Sequence, residues 1–342
     1  MSSLVVTANQ VHLRLDAIIA EACPDWSRAQ IKHAIDKGHV AIDGKTCLKA
    51  GKKCFAGELI TWTRELSIDF NNPGPEPMNL DILYEDAHLI VLNKPCGLVV
   101  HPGAGHLEGT LVNGLLAHDA GIAGIGEPSR PGIVHRLDAE TSGLMLAARS
   151  SLAYERLVEM FACHAVMRQY WALCHAPRLP DVGVFDTGYG RHLTQRIKYT
   201  SKLADAQKRA VTHYRLLCKN AGGYALITCN LETGRTHQVR VHLSEHGAPI
   251  VGDSLYAPAK LASHRCIDRL ALHAGRLSLQ HPITGAVLAF EISLPEDMQR
   301  AMSCLGLHID EAFLPADKVT LGTGESCHDN AKGNLHGGGG HP

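Results

Sequence analysis

The residues with the clearest chemical potential lie in one run, GIVHRLDAETSGLMLAA, residues 132–148. An apolar stretch leads into His135, Arg136, Leu137 and Asp138. A polar turn follows, and Thr141, Ser142 and Gly143 open a second apolar stretch. An apolar strand on either side would give Asp138 a rigid mount between buried segments. A carboxylate in a cleft serves as nucleophile or as base, and either role needs a cation close by to keep it ionised. The competing structural explanation is an aspartate that closes an Asx turn and does no chemistry. Other chemistries find no support. There is no H-E-x-x-H or C-x-x-C for zinc and no G-x-S-x-G for a hydrolase serine. Gly44-Lys45-Thr46 resembles the end of a P-loop, but residue 39 is His where that motif needs Gly, and a hairpin turn explains it better. Gly121, Gly124 and Gly126 fail the dinucleotide fingerprint because Ser129 fills its last slot. The 22 histidines show no metal-ligand spacing, so no metal is expected.

The elements that must position this run can be read from periodicity. Leu15, Ile18, Ile19 and Ala22 follow helical spacing. A second helix opens with Ser27 as N-cap and Gln30 three residues on, a capping box, with Trp26 and Ile31 placed to form a hydrophobic staple. Arg28 and Lys32 share one face of it, while Ile31, Ala34 and Ile35 face inward. Gly38 ends the helix, and Val40, Ile42 and the Asp43-Gly44 turn predict a tight hairpin carrying Lys45. The stretch FNNPGPEPM, 70–78, reads as a linker. Beyond it, short strands are expected at 80–84, 89–92, 132–134, 144–147, 170–174, 211–217 and 224–231, with helices near 152–163 and 236–244. Strands grouped with few helices predict an α+β domain on a mainly antiparallel sheet with flanking helices, not a Rossmann pattern. The expected organisation is a small N-terminal module at 1–70, a linker at 71–78, a larger domain at 79–313 and a disordered tail at 314–342.

The 342 residues are about two domains' worth. Lys and Arg number 33 against 34 Asp and Glu, a net charge of −1, which taken whole argues against a nucleic-acid partner. The charge is unevenly spread. Residues 28–64 balance at +5 and 191–215 at +6, while 76–127 balance at −6 and 310–342 at −3. Two regions could therefore track a phosphate backbone, although solvated faces would show similar runs. The 11 cysteines are dispersed and odd in number, which fits reduced thiols in a cytoplasm. The N-terminal residues lack a signal-peptide pattern, and no apolar run approaches the roughly 18 residues of a membrane helix. A cytoplasmic chain with no membrane association is expected, with a monomer as the default.

The run around Asp138 matches H-R-L-D-x-x-T-S-G at seven specified positions and so resembles the RluA-type pseudouridine synthases. The resemblance extends to LDILYEDAHLIVLNKPCGLVVHPG (80–103), MRQYWAL (167–173), LETGRTHQVRVHL (231–243), GDSLYA (252–257) and LALHA (270–274). The segment SRAQIKHAIDKGHVAIDGK (27–45) and the RLD opening at 14–16 resemble the S4-type RNA-binding fold. Together these cover about residues 13–298, and the arrangement is most similar to the RluD-like branch, which modifies large-subunit ribosomal RNA. Cys96 and Ala257 depart from the family's usual small residue and Gly, away from the proposed chemistry.

The resemblance implies that Asp138 is the catalytic aspartate. It implies that Tyr170 stacks on the target base and is able to help remove its C5 proton. Arg235 would be the arginine paired with the aspartate, and Arg136 would enter the RNA where the base has left. Converting uridine to pseudouridine breaks the N-glycosidic bond, turns the detached uracil and rejoins it through carbon, so no cofactor is expected. A base inside a stem must first be flipped out, at a few kcal/mol of lost stacking and pairing, and an aromatic ring and an arginine plane offset part of that. Arg28, Lys32 and Lys45 in the first module and Arg191, Arg196 and Lys198 in the second basic region would grip the RNA. Each residue also has an ordinary explanation. Tyr170 alternates like a core strand residue, Arg235 sits where a helix begins, Arg136 could be a surface cation, and His135, Lys94, Thr141 and Ser142 read as structural. A non-catalytic RNA-binding or ribosome-assembly factor and a synthase acting on tRNA are the alternatives. A hydrolase lacks a second acid.

Overall fold

A computed structural model describes residues 2–24, 26, 28–63, 73–103, 106, 108–203, 206, 208–309 and 317–322. The cap assigned to Ser27, the start of the linker and residues 323–342 lie outside the described residues. The chain forms two compact units, Met1–Met78 with Val99–Pro131 and Asn79–Leu98 with Gly132–Pro342.

In the first unit, strands β1 (Ser2–Val5), β2 (Val40–Ile42), β3 (Lys45–Thr46) and β4 (Leu59–Trp62) make an antiparallel sheet in the order β1-β4-β2-β3. Helices α1 (Leu15–Ala22) and α2 (Arg28–Asp36) lie where the apolar spacing puts them. Leu15, Ile18, Ile19, Ile31 and Ile35 are fully buried and share one core with Trp26, Val40 and Ile60. The β2–β3 turn has Asp43 at φ 50° and Gly44 at φ 76°, the two left-handed positions that a type I′ hairpin demands. A third helix, α3 (Leu111–His118), was not anticipated from the sequence. Asn113 in α3 donates to the carbonyl of Gly74 at 2.7 Å and accepts the amide of Glu76 through its own carbonyl at 2.9 Å. These bonds tie residues 99–131, read linearly as part of a 79–313 domain, to the proline-rich stretch in this unit.

The second unit is built on one sheet in the order β10-β9-β11-β12-β8-β13-β7-β6-β5. Its strands are β5 (Asp81–Glu85), β6 (Leu89–Lys94), β7 (Ser142–Ala148), β8 (Met167–His175), β9 (Val182–Arg191), β10 (Tyr199–Thr200), β11 (Lys208–Lys219), β12 (Tyr224–Leu231) and β13 (Leu272–Gln280). Strand β14 (Val287–Glu291) pairs with β13, and β15 (Lys318–Gly322) pairs with β14. Every pairing is antiparallel except β7 with β13, which makes the sheet mixed and mainly antiparallel. Helices α4 (Ser151–Ala162), α5 (Gln238–Glu245), α6 (Ala259–Ala262) and α7 (Glu296–Cys304) complete the α+β arrangement. No described helix is long and apolar enough to cross a membrane.

Three expectations need correction. Residues 132–134 are not a strand, because Ile133 makes only an isolated bridge to Ala147. Asp138 therefore sits on irregular chain just before β7, not between two strands. Residues 318–322 are not a disordered tail, because β14 offers an unpaired edge and β15 fills it. The cysteines are not all reduced, since Cys266 and Cys304 are joined. The fold brings their Cα atoms to 5.8 Å across 38 residues of sequence, within bridging range but with no sequence spacing to announce it.

Candidate active site

The site begins at Gly143. Its φ is +117°, and a Cβ there would lie 2.2 Å from the carbonyl oxygen of Ala274. Only glycine lets β7 close against β13 at this point. In the ladder, Gly143 pairs with Ala274, and Ala274 pairs with Tyr170 on β8. The end of the H-R-L-D run and the tyrosine are thereby set two strands apart at one level of the sheet.

Two side chains hold the irregular chain that carries Asp138. His135 accepts the amide of Leu146 through Nε2 at 2.9 Å and stacks on Phe161 at 4.7 Å. Lys94 is fully buried and donates to the carbonyls of Pro95, Leu98 and Ala139 at 2.8, 2.9 and 3.0 Å. Burial pushes its ammonium down to about 8, against an upward pull from Cys96 and Asp138. Three acceptors require all three ammonium protons, so Lys94 pins Ala139, the residue after Asp138.

On the opposite wall, the loop before α5 is locked by Gln238. Its Oε1 accepts from the Thr233 hydroxyl at 2.8 Å and the Arg235 amide at 3.0 Å. Its Nε2 donates to the Val211 carbonyl at 2.9 Å and the Thr212 hydroxyl at 3.0 Å. All four hydrogen-bonding positions of this buried amide are filled. The chain then turns sharply at His237, a non-glycine residue at φ 60° and ψ 17°. That left-handed step aims the first turn of α5 back at Asp138.

The cation that reaches Asp138 is Arg240. Its Nη1 is 3.2 Å from Asp138 Oδ2, and its Nε and Nη2 grip Asp253 at 2.9 and 2.8 Å. Arg240 is 4% exposed and Asp253 1%. Burial would depress the Arg240 guanidinium, but its bonds to Asp253 and the charges of Asp253 and Asp138 outweigh that and raise it. Burial likewise pushes the Asp253 carboxyl up, and Arg240 more than reverses it. Asp253 follows Gly252, which sits at φ +77° and has no room for a Cβ beside the Arg269 carbonyl. Its Oδ1 also accepts the amides of Leu255 and Tyr256.

Arg235, expected as the partner of Asp138, does not pair with it. Its Nε donates to the Arg209 carbonyl at 3.2 Å and its side chain is exposed. The physical reason is the turn at His237, which puts residues before and after it on different sides. Arg235 still lines the same pocket as Asp138, Arg136, Tyr170, His237 and Arg240. Tyr170 is 6% exposed, and burial raises its phenol, opposed by nearby Arg168. One space thus holds a carboxylate, a neutral phenol ring, an imidazole and three guanidinium groups. That set can act on a sugar carbon, stack on a base and hold phosphates.

A second groove lies beyond Arg235, lined by Tyr189, Arg191, Tyr199, Lys208 and Arg235. Tyr189 and Tyr199 stack at 5.9 Å, and Arg191 lies over Tyr199 at 5.3 Å. Arg191 also donates to the Arg196 carbonyl at 2.8 Å, and Lys198 lies over Tyr256 at 5.9 Å. The loop between β9 and β10 therefore brings the predicted Arg191, Arg196 and Lys198 together, with Leu193 and Ile197 exposed beside them. In the first unit, Arg28, Lys32 and Lys45 are all exposed, and Lys32 is paired with Asp36 at 2.5 Å.

Arg240, Asp253, His237 and Tyr256 escaped the sequence reading. No spacing marks Arg240, since residues one apart on a helix do not share a face and Val239 and Val241 say nothing about its burial.

The chain matches the RNA pseudouridylate synthase family over residues 88–245 and the S4 domain over 13–60. It is 42% identical to an uncharacterized RNA pseudouridine synthase of Bacillus subtilis, over 87% of this chain and 96% of that one. The chain belongs to the RNA pseudouridylate synthase family. It is 39% identical to the ribosomal large subunit pseudouridine synthase D of Xanthomonas campestris, over 88% of this chain and 91% of that one. With the Escherichia coli K12 protein of the same name it shares 38% over 90% and 94%. Among solved structures, human RNA pseudouridylate synthase domain containing 4 superposes with a TM-score of 0.50 at 28% identity, covering 67% of this chain and 94% of that one. The chain is thus a pseudouridine synthase with an N-terminal S4 domain, and it isomerises uridine in RNA.

Proposed function

We propose that this pseudouridine synthase acts on large-subunit ribosomal RNA and that the pocket around Asp138 is its active site. Asp138 is the essential carboxylate, attacking or deprotonating the ribose of a flipped-out uridine. Tyr170 stacks on the detached base, and Arg136 fills the place the base leaves. Arg235, Arg191, Arg196 and Lys198 hold phosphates of the same strand, and Arg28, Lys32 and Lys45 of the S4 domain add further contacts. Acting on ribosomal RNA places the enzyme in the compartment where ribosomes assemble.

The observation that carries the reading is the convergence of Asp138, Tyr170, Arg136 and Arg235 on one pocket. The ribosomal substrate is supported by the names of the relatives that match along most of their length. Mapping pseudouridine across ribosomal RNA from cells with the protein, without it, and with Asp138→Asn tests both parts. Sites in large-subunit RNA that vanish in the second and third strains are expected. An unchanged large-subunit map sinks the substrate, and full modification by Asp138→Asn sinks the active site.

A further inference from the structure

His237 is a strained residue at the pocket, and its side chain is held with its chemistry turned inward. A non-glycine residue at φ 60° is uncommon, and strain of this kind persists only where the surroundings over-determine it. Here the surroundings are the Gln238 hydrogen bonds on one side and the Arg240 ion network on the other. The His237 ring lines the same pocket as Asp138 and Tyr170.

The tautomer follows from hydrogen-bond accounting. Tyr256 Oη accepts the amide of Tyr199 at 2.9 Å and lies 2.8 Å from His237 Nδ1. The Tyr256 hydroxyl, partly exposed, keeps its proton available for Nδ1, the arrangement that also sets the Nε2 proton toward the Asp138 carboxylate. Burial lowers the basicity of His237, against the pull of Asp138, so the ring is neutral. A neutral imidazole that accepts at Nδ1 carries its proton on Nε2. That Nε2 is 3.9 Å from Asp138 Oδ1, too far for a hydrogen bond. The proton is therefore presented to the pocket.

The isomerisation creates a need for such a donor. When the C1′–N1 bond breaks, its electron pair leaves with N1 and spreads onto the two carbonyl oxygens of the uracil ring. The new C1′–C5 bond then uses a pair from C5, the C5 proton departs, and N1 gains one, so no proton is gained or lost overall. The same anionic uracil forms whether Asp138 attacks or deprotonates the ribose. We propose that His237 is a catalytic residue whose Nε2–H donates a hydrogen bond to a carbonyl oxygen of the departing uracil and stabilises its negative charge. This rests on the pocket around Asp138 being the active site. A preorganised donor aimed at developing charge is worth roughly 10²–10³-fold in rate. Tyr256 acts through His237 as a positioning residue, fixing the tautomer.

The test uses the full chain and bulk cellular RNA carrying tritium at uridine C5, taken from cells that lack the enzyme. Single-turnover tritium release and RNA affinity are measured for wild type, Asp138→Asn, His237→Gly and His237→Asn. Glycine and asparagine both tolerate the left-handed backbone, so the variants separate side-chain loss from misfolding. His237→Gly is expected to release tritium roughly 10²-fold more slowly with unchanged RNA affinity. Recovery is expected either on adding imidazole or in His237→Asn, which retains an N–H donor. Wild-type rate in His237→Gly, a rate loss matched by lost affinity, or no recovery by either route overturns the proposal. Activity surviving in Asp138→Asn instead overturns the site on which it rests.

Discussion

Arg240 bonds Asp138 with one nitrogen and Asp253 with the other two, so the carboxylate at the pocket is tied to a buried ion pair behind it. The two aspartates do different work. Asp253 is buried and satisfies the charge of Arg240, whereas Asp138 is 18% exposed and faces the pocket.

Removing the arginine and removing the pocket carboxylate should therefore separate stability from activity. Arg240→Ala leaves Asp253 as an unpaired buried charge and is expected to destabilise by roughly 3–5 kcal/mol. Asp138→Asn is expected to shift stability by about 1 kcal/mol or less and to abolish tritium release. Urea unfolding and the release assay on both variants check this, and equal stability losses would refute the division of labour.

Arg235 should behave in the opposite way to Arg240. Its side chain is exposed and, among the described residues, makes one bond, to the Arg209 carbonyl. Arg235→Ala is expected to change stability by about 0.5 kcal/mol or less, while weakening RNA binding and flattening its salt dependence through the loss of one phosphate contact. A titration of affinity against salt distinguishes this from a variant with no RNA contact, whose slope would stay that of the wild type.

Lys94 should prove costly to replace although it never reaches the pocket. Lys94→Met strands the carbonyls of Pro95 and Leu98, while that of Ala139 keeps the Gly97 amide at 2.8 Å, and a buried unsatisfied polar group costs about 1–3 kcal/mol each. A loss of several kcal/mol is expected, with slower catalysis because Ala139, next to Asp138, loses one of its two holds. The pH dependence has a definite sign. The folded group titrates near 8 rather than 10.5, so between those values the unfolded chain holds a proton the folded chain has shed. Stability from this group rises with pH across that window, and the methionine variant should lack the rise.

Acid sensitivity should begin in the histidine range. His242 and His273 are buried, and burial pushes both down to about 4 from 6.5. Below 6.5 the unfolded chain takes up protons that the folded chain refuses, so stability falls with pH down to about 4. Each contributes about 3 kcal/mol over that window. Urea midpoints between pH 7 and 4 for wild type, His242→Gln and His273→Gln test it through the slope rather than the level. A slope unchanged in both variants would assign the acid sensitivity elsewhere.

Much of this molecule is local in origin and was legible in the chain. The spacing of Leu15, Ile18 and Ile19 sets α1, the Asp43-Gly44 pair sets a hairpin whose backbone angles only such residues favour, and alternation marks β8, β11 and β12. The H-R-L-D run could be singled out because its residues are consecutive. Residues 132–134 misled because an apolar triplet looks like a strand wherever it falls, and only a partner at the right distance makes it one. Strand β15 was missed for the converse reason. Lys318–Gly322 becomes a strand by filling the edge of β14, about thirty residues earlier.

Residue types alone put Asp138 on a polar turn ahead of the apolar strand that Gly143 opens, whereas the need for glycine at 143 comes from the Ala274 carbonyl across the sheet. The resemblance pointed to Arg235 as the partner of that carboxylate and passed over Arg240, five residues on. Which of them meets the aspartate was decided only in three dimensions. The left-handed step at His237 turns the chain so that residues five apart face different partners, Arg209 for one and Asp138 for the other. That step is held by groups far away in sequence, at Val211, Thr212 and Asp253. The pairing of Cys266 with Cys304 has the same origin, since contacts between distant segments carry no signature in the spacing of either.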